Sequence, residues 1–454
     1  MTRIHNKAGA WAILLIAFAL MAAACAQPTG EPGVTTAPPT ETTPPTETAP
    51  PTETTAPVGE LGQVTIAEGE PVKIATIQTI SGGTASLGQD QVTAIEIAVE
   101  ERGEILGHAI ELQVEDGLCN AEGGTTAAQR IVSDPQVIGI IGTSCSGAGV
   151  PASQIMSQAG LVMISGSNTS PSLTALPYLS DEPLEAQENN QPGYFRTSHN
   201  DEFQGAAAGR YAFEGSGAQN VVTVHDGDPY TEGLTTQFGQ FYEEAGGTIV
   251  LATAINKGDT DMRPFLTEVA ATGLDLLFMP IFQPEADFIV QQATEFPELA
   301  EVQFMGADGL LSDTFVVIPE TEGMIFSGPA QGEGSAYEEF VAAYEEKAGT
   351  PPIQAFHAHA YDAANILLDA IEAVAQEQDG GLVIDRAALR QFIYDLESYQ
   401  GLTGTLSCNQ FGDCAEPAIG IFENSDPSAG IVGVFDNIIT TINLRDDVDP
   451  EKLN

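Results

Sequence analysis

Between residues 72 and 330 short apolar, β-branched runs alternate with stretches of helical period, and the alternation occurs twice in succession. The first series reads VKIATIQTI (72–80), IELQVED (110–116), VIGIIGT (137–143) and LVMISG (161–166). The helical stretch after the first run carries Val92, Ile95 and Val99 on one face. YFRTS (194–198) then leads into a second series: NVVTVHDG, TIVLATAI, LDLLFMPIF, VQFMGAD and MIFSGPA. Nearly continuous apolar strands suit a parallel sheet covered on both faces, and intervening helices supply the cover. The pattern therefore predicts an α/β chain of two doubly wound lobes, and 454 residues are enough for two domains.

Two neighbouring turns of the first series stand out. Val137–Gly142 runs into Thr143-Ser144-Cys145-Ser146-Gly147, with a helix expected from about Val150. The strand at 161–165 runs into Gly166-Ser167-Asn168-Thr169-Ser170 before Pro171. Hydroxyls and free backbone N–H groups thus gather at the carboxyl edge of the sheet. Ligands bind at that edge in open α/β sheets, and a helix N-terminus there favours a carboxylate. Ordinary βα turns rich in Ser and Gly, with Ser146 and Thr169 as helix caps, are the alternative.

Composition narrows the partners. Sixty-four acidic residues against 14 basic ones give a formal charge of −50. That argues against nucleic acid and anionic membrane surfaces, which are held through Lys and Arg. Residues 1–24 read as an export signal, with Arg3 and Lys7 before an apolar run that ends in small residues. Cys25 follows three alanines, resembling a bacterial lipoprotein processing site, although Ala22 stands where Leu is commonest. Residues 27–58 repeat PTETTP-like units and read as an extended tether, the whole linker running over 25–70. Export permits disulfides among the remaining four cysteines. Cys119 just follows the strand at 110–115 and Cys145 the strand at 137–142, both at the same edge of the sheet, where a bridge closing about 26 residues could contribute roughly 3 kcal/mol. Cys408 and Cys414 flank a turn-like stretch and could staple a hairpin. The absence of a CxxC pair argues against zinc.

IGTSCSGA (141–148) and GLVMISGSNTSPSLT (160–174), continued by FRTSHNDEFQG (195–205), VHDGDPYTEGL (224–234), QFMGADG (303–309) and TGTLSCNQFGD (403–413), resemble the branched-chain amino-acid (leucine/isoleucine/valine-type) binding proteins of ABC importers. The likeness spans residues 72–443. It implies the type I periplasmic binding protein fold, with three crossovers near 197–201, 328–331 and 400–403. Lobe one would comprise 71–197 plus 331–399 and lobe two 198–330 plus 400–443, followed by a tail at 444–454. The resemblance also implies a Cys119–Cys145 disulfide beside the binding serine. Ser146 and Thr169, with backbone groups near Asn168, would hold a ligand carboxylate. Tyr230 would approach from lobe two, and Asp308 would stand where the family places a carboxylate for the ammonium. Leu87, Phe282 and Gln283 occupy side-chain-pocket positions but depart from the family's residues there, so leucine itself is not implied. No landmark falls between residues 174 and 193, which read as a surface loop at the lobe rim.

Asp308-Gly309 is also a turn dipeptide, and Tyr230 could equally be a lobe-packing aromatic. His357 and His359 lie in a helical stretch, where residues two apart diverge, and read as core or surface histidines; one lining the cleft is the alternative. Catalytic motifs fail: Ser146 stands where a nucleophile elbow needs Gly, and no GxxxxGK[ST] loop occurs. The expectation is a monomeric, lipid-anchored, exported receptor, not an enzyme, with no cofactor and no metal. It would capture an amino acid and dock on an ABC permease with its ATPase. A ligand-sensing receptor ectodomain, or an amide, urea-like or aromatic-acid ligand, is the alternative.

Overall fold

The structure, a computed structural model, describes residues 61–449 and 452. The export signal, Cys25 and nearly all of the tether lie outside the described residues. Two sheets organise the chain. In the first, Val72–Gln78 lies centrally between His108–Asp116 and Val137–Gly142, all parallel, and Val162–Ser165 and Tyr194–Arg196 extend it; Glu104–Ile105 adds an antiparallel edge. Every residue of Val137–Gly142 is buried. Full burial on both faces explains why this strand reads as an unbroken apolar run, each Ile contributing about 2–3 kcal/mol of burial. The second sheet orders Thr248–Ala254, Asn220–His225, Leu276–Phe278, Gln303–Gly306 and Ile325–Pro329 in parallel. Ala418–Glu423 and Ile438–Asn443 close it antiparallel.

The chain passes from the first sheet to the second after Tyr194–Arg196. It returns after Ile325–Pro329 to helices Ser335–Ala348 and His357–Val374, which pack on the first sheet's core, and crosses again before Ala418–Glu423. Leu406, Cys408 and Cys414 belong to that first core, so the third crossing falls later than residues 400–403. The linker is also shorter than residues 25–70. Gln63–Ile66 is a strand paired antiparallel with Gly381–Asp385, burying Val64 and Ile66 while Gln63 and Thr65 face outward. This two-residue alternation is short and adjoins the Pro/Thr-rich tether. In the tail, Leu444 and Val448 pack with Tyr178, Phe203 and Ile419. Residues 174–193 are only partly a surface loop. Thr174, Ala175 and Tyr178 are buried, and the Glu202 carboxylate accepts from the backbone N–H groups of Tyr178 (2.6 Å) and Leu179 (2.9 Å).

Both disulfides form: Cys119–Cys145, with Cα atoms 5.1 Å apart, and Cys408–Cys414. The second closes an irregular loop and not a hairpin; the nearby hairpin is Tyr399–Gly401 with Gly404–Leu406. Arg196, with no exposed side-chain surface, braces the crossings. It pairs with Asp413 and donates from Nη1 to the carbonyls of Asn168 (3.1 Å) and Ser170 (2.8 Å).

Candidate ligand-binding site

The two Ser-rich turns are stitched into one shelf. Ser165 Oγ donates to the Thr143 carbonyl (2.8 Å), and Ser167 Oγ donates to that of Ser144 (2.8 Å). Gly142 makes the sharp exit from its strand at φ 132°, where a Cβ would lie 2.3 Å from the Ile77 carbonyl oxygen. The helix after it is Ser146–Gln158, starting four residues before the expected Val150, with Cys145 at its N-cap. Ser146 therefore sits on the first turn, among N–H groups without intrahelical partners. Its Oγ accepts the Ser170 N–H at 3.2 Å, which leaves the hydroxyl hydrogen available to donate.

Asn168 does not face the cleft. Its Nδ2 donates to the Thr143 carbonyl (2.8 Å), its Oδ1 accepts from Thr143 Oγ1 (3.1 Å), and its own carbonyl accepts from Arg196 and Ser198. Its amide is consumed in building the shelf, so it positions Thr169. Thr169 does reach across: Oγ1 donates to Asp201 Oδ2 at 3.1 Å, and the Asp201 N–H donates to the Thr169 carbonyl at 2.9 Å.

Opposite the shelf, Asp228 caps helix Pro229–Ala245 and aims Tyr230 inward from the first turn. Tyr230 OH donates to Asp308 Oδ1 at 3.0 Å and accepts the Gly309 N–H at 3.2 Å; Gln204 Nε2 donates to the same Asp308 oxygen at 2.7 Å. Phe282 packs tilted against Tyr230, ring centroids 5.1 Å apart, and both share an apolar cluster with Leu87 and Cys145. Leu87 thus belongs to a cluster formed mainly by the opposite lobe, whereas Gln283 is turned away. Its Oε1 accepts from Ser312 Oγ (3.0 Å) and Thr314 Oγ1 (2.7 Å), and its Nε2 donates to Asp287, so the side chain is spent within its own lobe.

Three residues here were not singled out by the sequence reading: His199, Asp201 and Gln204. All are buried, and one ring nitrogen of His199 and one carboxylate oxygen each of Asp201 and Asp308 lie within 4.8 Å of one another. Burial raises the Asp308 carboxyl to about 6 against the hydrogen bonds from Gln204 and Tyr230. Burial, then the Asp308 charge, holds Asp201 well above the usual carboxylate range. Burial lowers His199 to about 4, keeping it neutral at pH 7. The signal for these residues lay inside FRTSHNDEFQG, where three chemistry-bearing side chains follow a crossover strand. His357 and His359 diverge. The first bonds the Gln354 carbonyl (2.9 Å) and Tyr337 OH (2.8 Å) in the first-lobe core, and the second is buried near His199. Among the described residues no helix is long and apolar enough to cross a membrane.

The periplasmic binding protein family model matches residues 71–413. The chain is 26% identical over 363 residues to the Leu/Ile/Val-binding protein homolog 3 of Brucella melitensis, covering 78% of this chain and 92% of the relative. It is 26% identical to the leucine-, isoleucine-, valine-, threonine-, and alanine-binding protein of Pseudomonas aeruginosa, covering 76% and 87%. The structure is similar to a leucine binding protein of Thermotoga maritima, with TM-score 0.70, 25% identity and coverage of 83% and 100%. A solute binding protein of R. palustris in complex with benzoate shares the fold, with TM-score 0.67, 18% identity and coverage of 82% and 95%. Two crossing-linked lobes, a hydroxyl shelf facing buried carboxylates, and a profile match over most of the described residues lead to one conclusion: the chain belongs to the periplasmic binding protein family.

Proposed function

We propose that the protein is an extracytoplasmic solute-binding lipoprotein of an ABC importer, anchored through Cys25, that captures an amino acid between its lobes without performing chemistry on it. The observation that carries this reading is the buried Asp308 carboxylate, held by Tyr230 and Gln204 and lying within reach of Asp201, across from Ser146 and Thr169. A zwitterion supplies a carboxylate for the hydroxyl shelf and an ammonium for the acids. A ligand with a carboxylate alone would leave two buried acids unpaired, which disfavours an aromatic acid. Relatives named for Leu/Ile/Val, and one named also for threonine and alanine, support an aliphatic amino acid. Binding energy then favours closure, because only the closed arrangement brings shelf and acids to one ligand. The closed form is what a permease with its ATPase would receive.

Calorimetry with a panel of amino acids tests this. Asp308→Ala should weaken the best ligand by roughly 2–4 kcal/mol, since the ammonium loses a buried partner. Unchanged affinity would remove Asp308 from the site. Metabolic labelling with a fatty acid that is lost in Cys25→Ala would establish the anchor.

A further inference from the structure

Just beyond the turn that carries Asp308, the second lobe makes backbone contact with the first. Ser312 pairs with Gln354 as a single antiparallel bridge, and the Asp313 N–H donates to the Ile353 carbonyl at 3.1 Å. Residues 353–354 belong to the loop between helices Ser335–Ala348 and His357–Val374 of the first lobe. A buried carboxylate fixes that loop. Asp90, on helix Ala85–Arg102, has no exposed surface, and its Oδ1 accepts the Ile353 N–H and the Tyr344 OH, each at 2.9 Å. His357 Nδ1 lies 3.4 Å from Asp90 Oδ2 and 2.9 Å from the Gln354 carbonyl; a carbonyl only accepts, so Nδ1 carries a hydrogen. Gln354 Nε2 adds a bond to Ser86 Oγ at 3.1 Å. Both residues on the first-lobe side are therefore held in place from within their own lobe.

Among the described residues Asp90, Ile353 and Asp313 make no hydrogen bond to the side chains of Ser146, Thr169, Asp201 or Asp308. Resting on the two-lobe capture proposed above, we propose that Ser312–Asp313 and Ile353–Gln354 form a backbone latch over the bound ligand, with Asp90 as the residue that positions it. The bridge exists only while the lobes meet, and it must break before ligand leaves. Encounter with the open protein does not need it, so the latch acts on release and not on association. Standing outside the shelf and the acids, it strengthens every ligand by one common factor and leaves the order of preference to the site. Asp90 matters because a backbone bond between lobes helps only when both of its loops are already ordered. With Ile353 released, each closure would have to order that loop anew.

The test variant is Asp313→Pro. Asp313 is the second residue of a turn in which the Phe315 N–H donates to the Ser312 carbonyl at 3.1 Å, a place where proline is favoured. The change therefore removes the cross-lobe donor while suiting the second lobe's own backbone. Asp313→Ala is the control for the lost carboxylate, which accepts the Ile431 N–H at 3.1 Å. Release is read on the intact protein by chasing the best-binding radiolabelled amino acid of the panel with unlabelled compound, association by rapid mixing, and the panel by calorimetry. Asp313→Pro should release roughly 2- to 10-fold faster, associate at the parent rate and weaken every panel member by one factor. Asp313→Ala should resemble the parent. Asp90→Ala should show the same split between release and association, and Asp90→Asn, whose amide oxygen still accepts from Ile353, should recover the parent behaviour. The double variant Asp90→Ala/Asp313→Pro should release no faster than the faster single one. Unchanged release in Asp313→Pro, or weakening confined to some ligands, overturns the latch while leaving amino-acid capture intact. If no panel member binds the unaltered protein, the amino-acid reading falls, and hydrogen exchange over residues 311–316 decides the latch. Faster exchange there in Asp90→Ala, with the rest of the second lobe unchanged, supports it; equal exchange overturns it.

Discussion

Substituting Gly147 by alanine should separate closure from folding. Gly147 is the second residue of helix Ser146–Gln158, in the first lobe, and a Cβ placed there lies 2.4 Å from Asp228 Oδ2 of the second. Ordinary contact begins about 1 Å farther out. Asp228 cannot readily give way. Its Oδ1 caps the next helix by accepting the Tyr230 N–H at 3.1 Å, and its Oδ2 accepts from Lys257 Nζ at 2.9 Å. Overpacking of this kind costs about 1–3 kcal/mol. Parting of the lobes relieves it, so the cost falls on the closed arrangement alone. Because the ligand needs that arrangement, apparent affinity should fall by the same factor, roughly 5- to 150-fold. The unliganded fold should lose nothing: the backbone at Gly147 is helical, and Gly→Ala in a helix is worth about 0.5–1 kcal/mol in favour of the variant.

Calorimetry should thus show weaker binding of the best amino acid, thermal melts should show an unchanged or raised midpoint, and small-angle scattering should show reduced compaction on adding ligand. Gly239→Ala is the control. It sits in helix Pro229–Ala245, where the nearest atom to a new Cβ is Ile249 Cγ1 at 3.9 Å, and it should bind normally. Binding by Gly147→Ala within two-fold of the parent would mean that ligand is held without the contact between Gly147 and Asp228, and the closure argument would fall.

Removing the brace at the crossings should be severe: Arg196→Met strands Asp413 and leaves the carbonyls of Asn168 and Ser170 without their donor, destabilising the fold by about 3–5 kcal/mol in urea titrations. Stability should fall as pH rises from about 4 to above 6. Asp362 is raised by burial to about 6 against bonds from Leu402 N, Thr403 N and Thr403 Oγ1, so the folded state holds its proton more tightly than the unfolded chain does. That contribution is complete below the unfolded value near 3.8 and lost above about 6, about 3 kcal/mol over the window. Asp362→Asn should flatten the pH dependence by about that amount, and an unaltered slope would reassign it. The charge of −50 predicts a melting midpoint that climbs between 10 and 500 mM NaCl as self-repulsion is screened, to be read by calorimetric scans.

Much of the fold was legible because burial on both faces of a parallel sheet leaves an unmistakable apolar run. VIGIIGT and LVMISG were placed within a residue or two, and their small-residue exits marked the carboxyl edge. Gln63–Ile66 escaped notice because an antiparallel edge strand alternates and needs only two apolar side chains, which a Pro/Thr-rich neighbourhood conceals. Its partner Gly381–Asp385 lies more than 300 residues away, a pairing that no local period encodes. The third crossing was placed too early for a related reason. The resemblance implies a crossing near 400–403, yet Leu406 and both linked cysteines still find their apolar contacts in the first core.

The site was legible in proportion to how local its chemistry is. The position of Ser146 on a helix N-terminus was open to reading because a helix start after a buried strand is a feature of one segment. Asn168, expected to lend backbone groups, shows the converse: its side-chain amide bonds Thr143 and Tyr194, contacts made only when the strands and turns lie side by side. Asp201 illustrates the limit most clearly. At the first position of a helix, behind an Asn cap, an acid needs no ligand to explain it, since the helix dipole favours negative charge there. What marks Asp201 as more than a helix-start acid is the approach of Asp308 from a strand end 107 positions later and of Thr169 from the other lobe. Two carboxylates driven together in a water-poor cleft repel one another, and each alone would be a liability. Together with a neutral His199 they form an arrangement whose cost a proton or a cationic guest removes, and that cost exists only in the folded, closed chain.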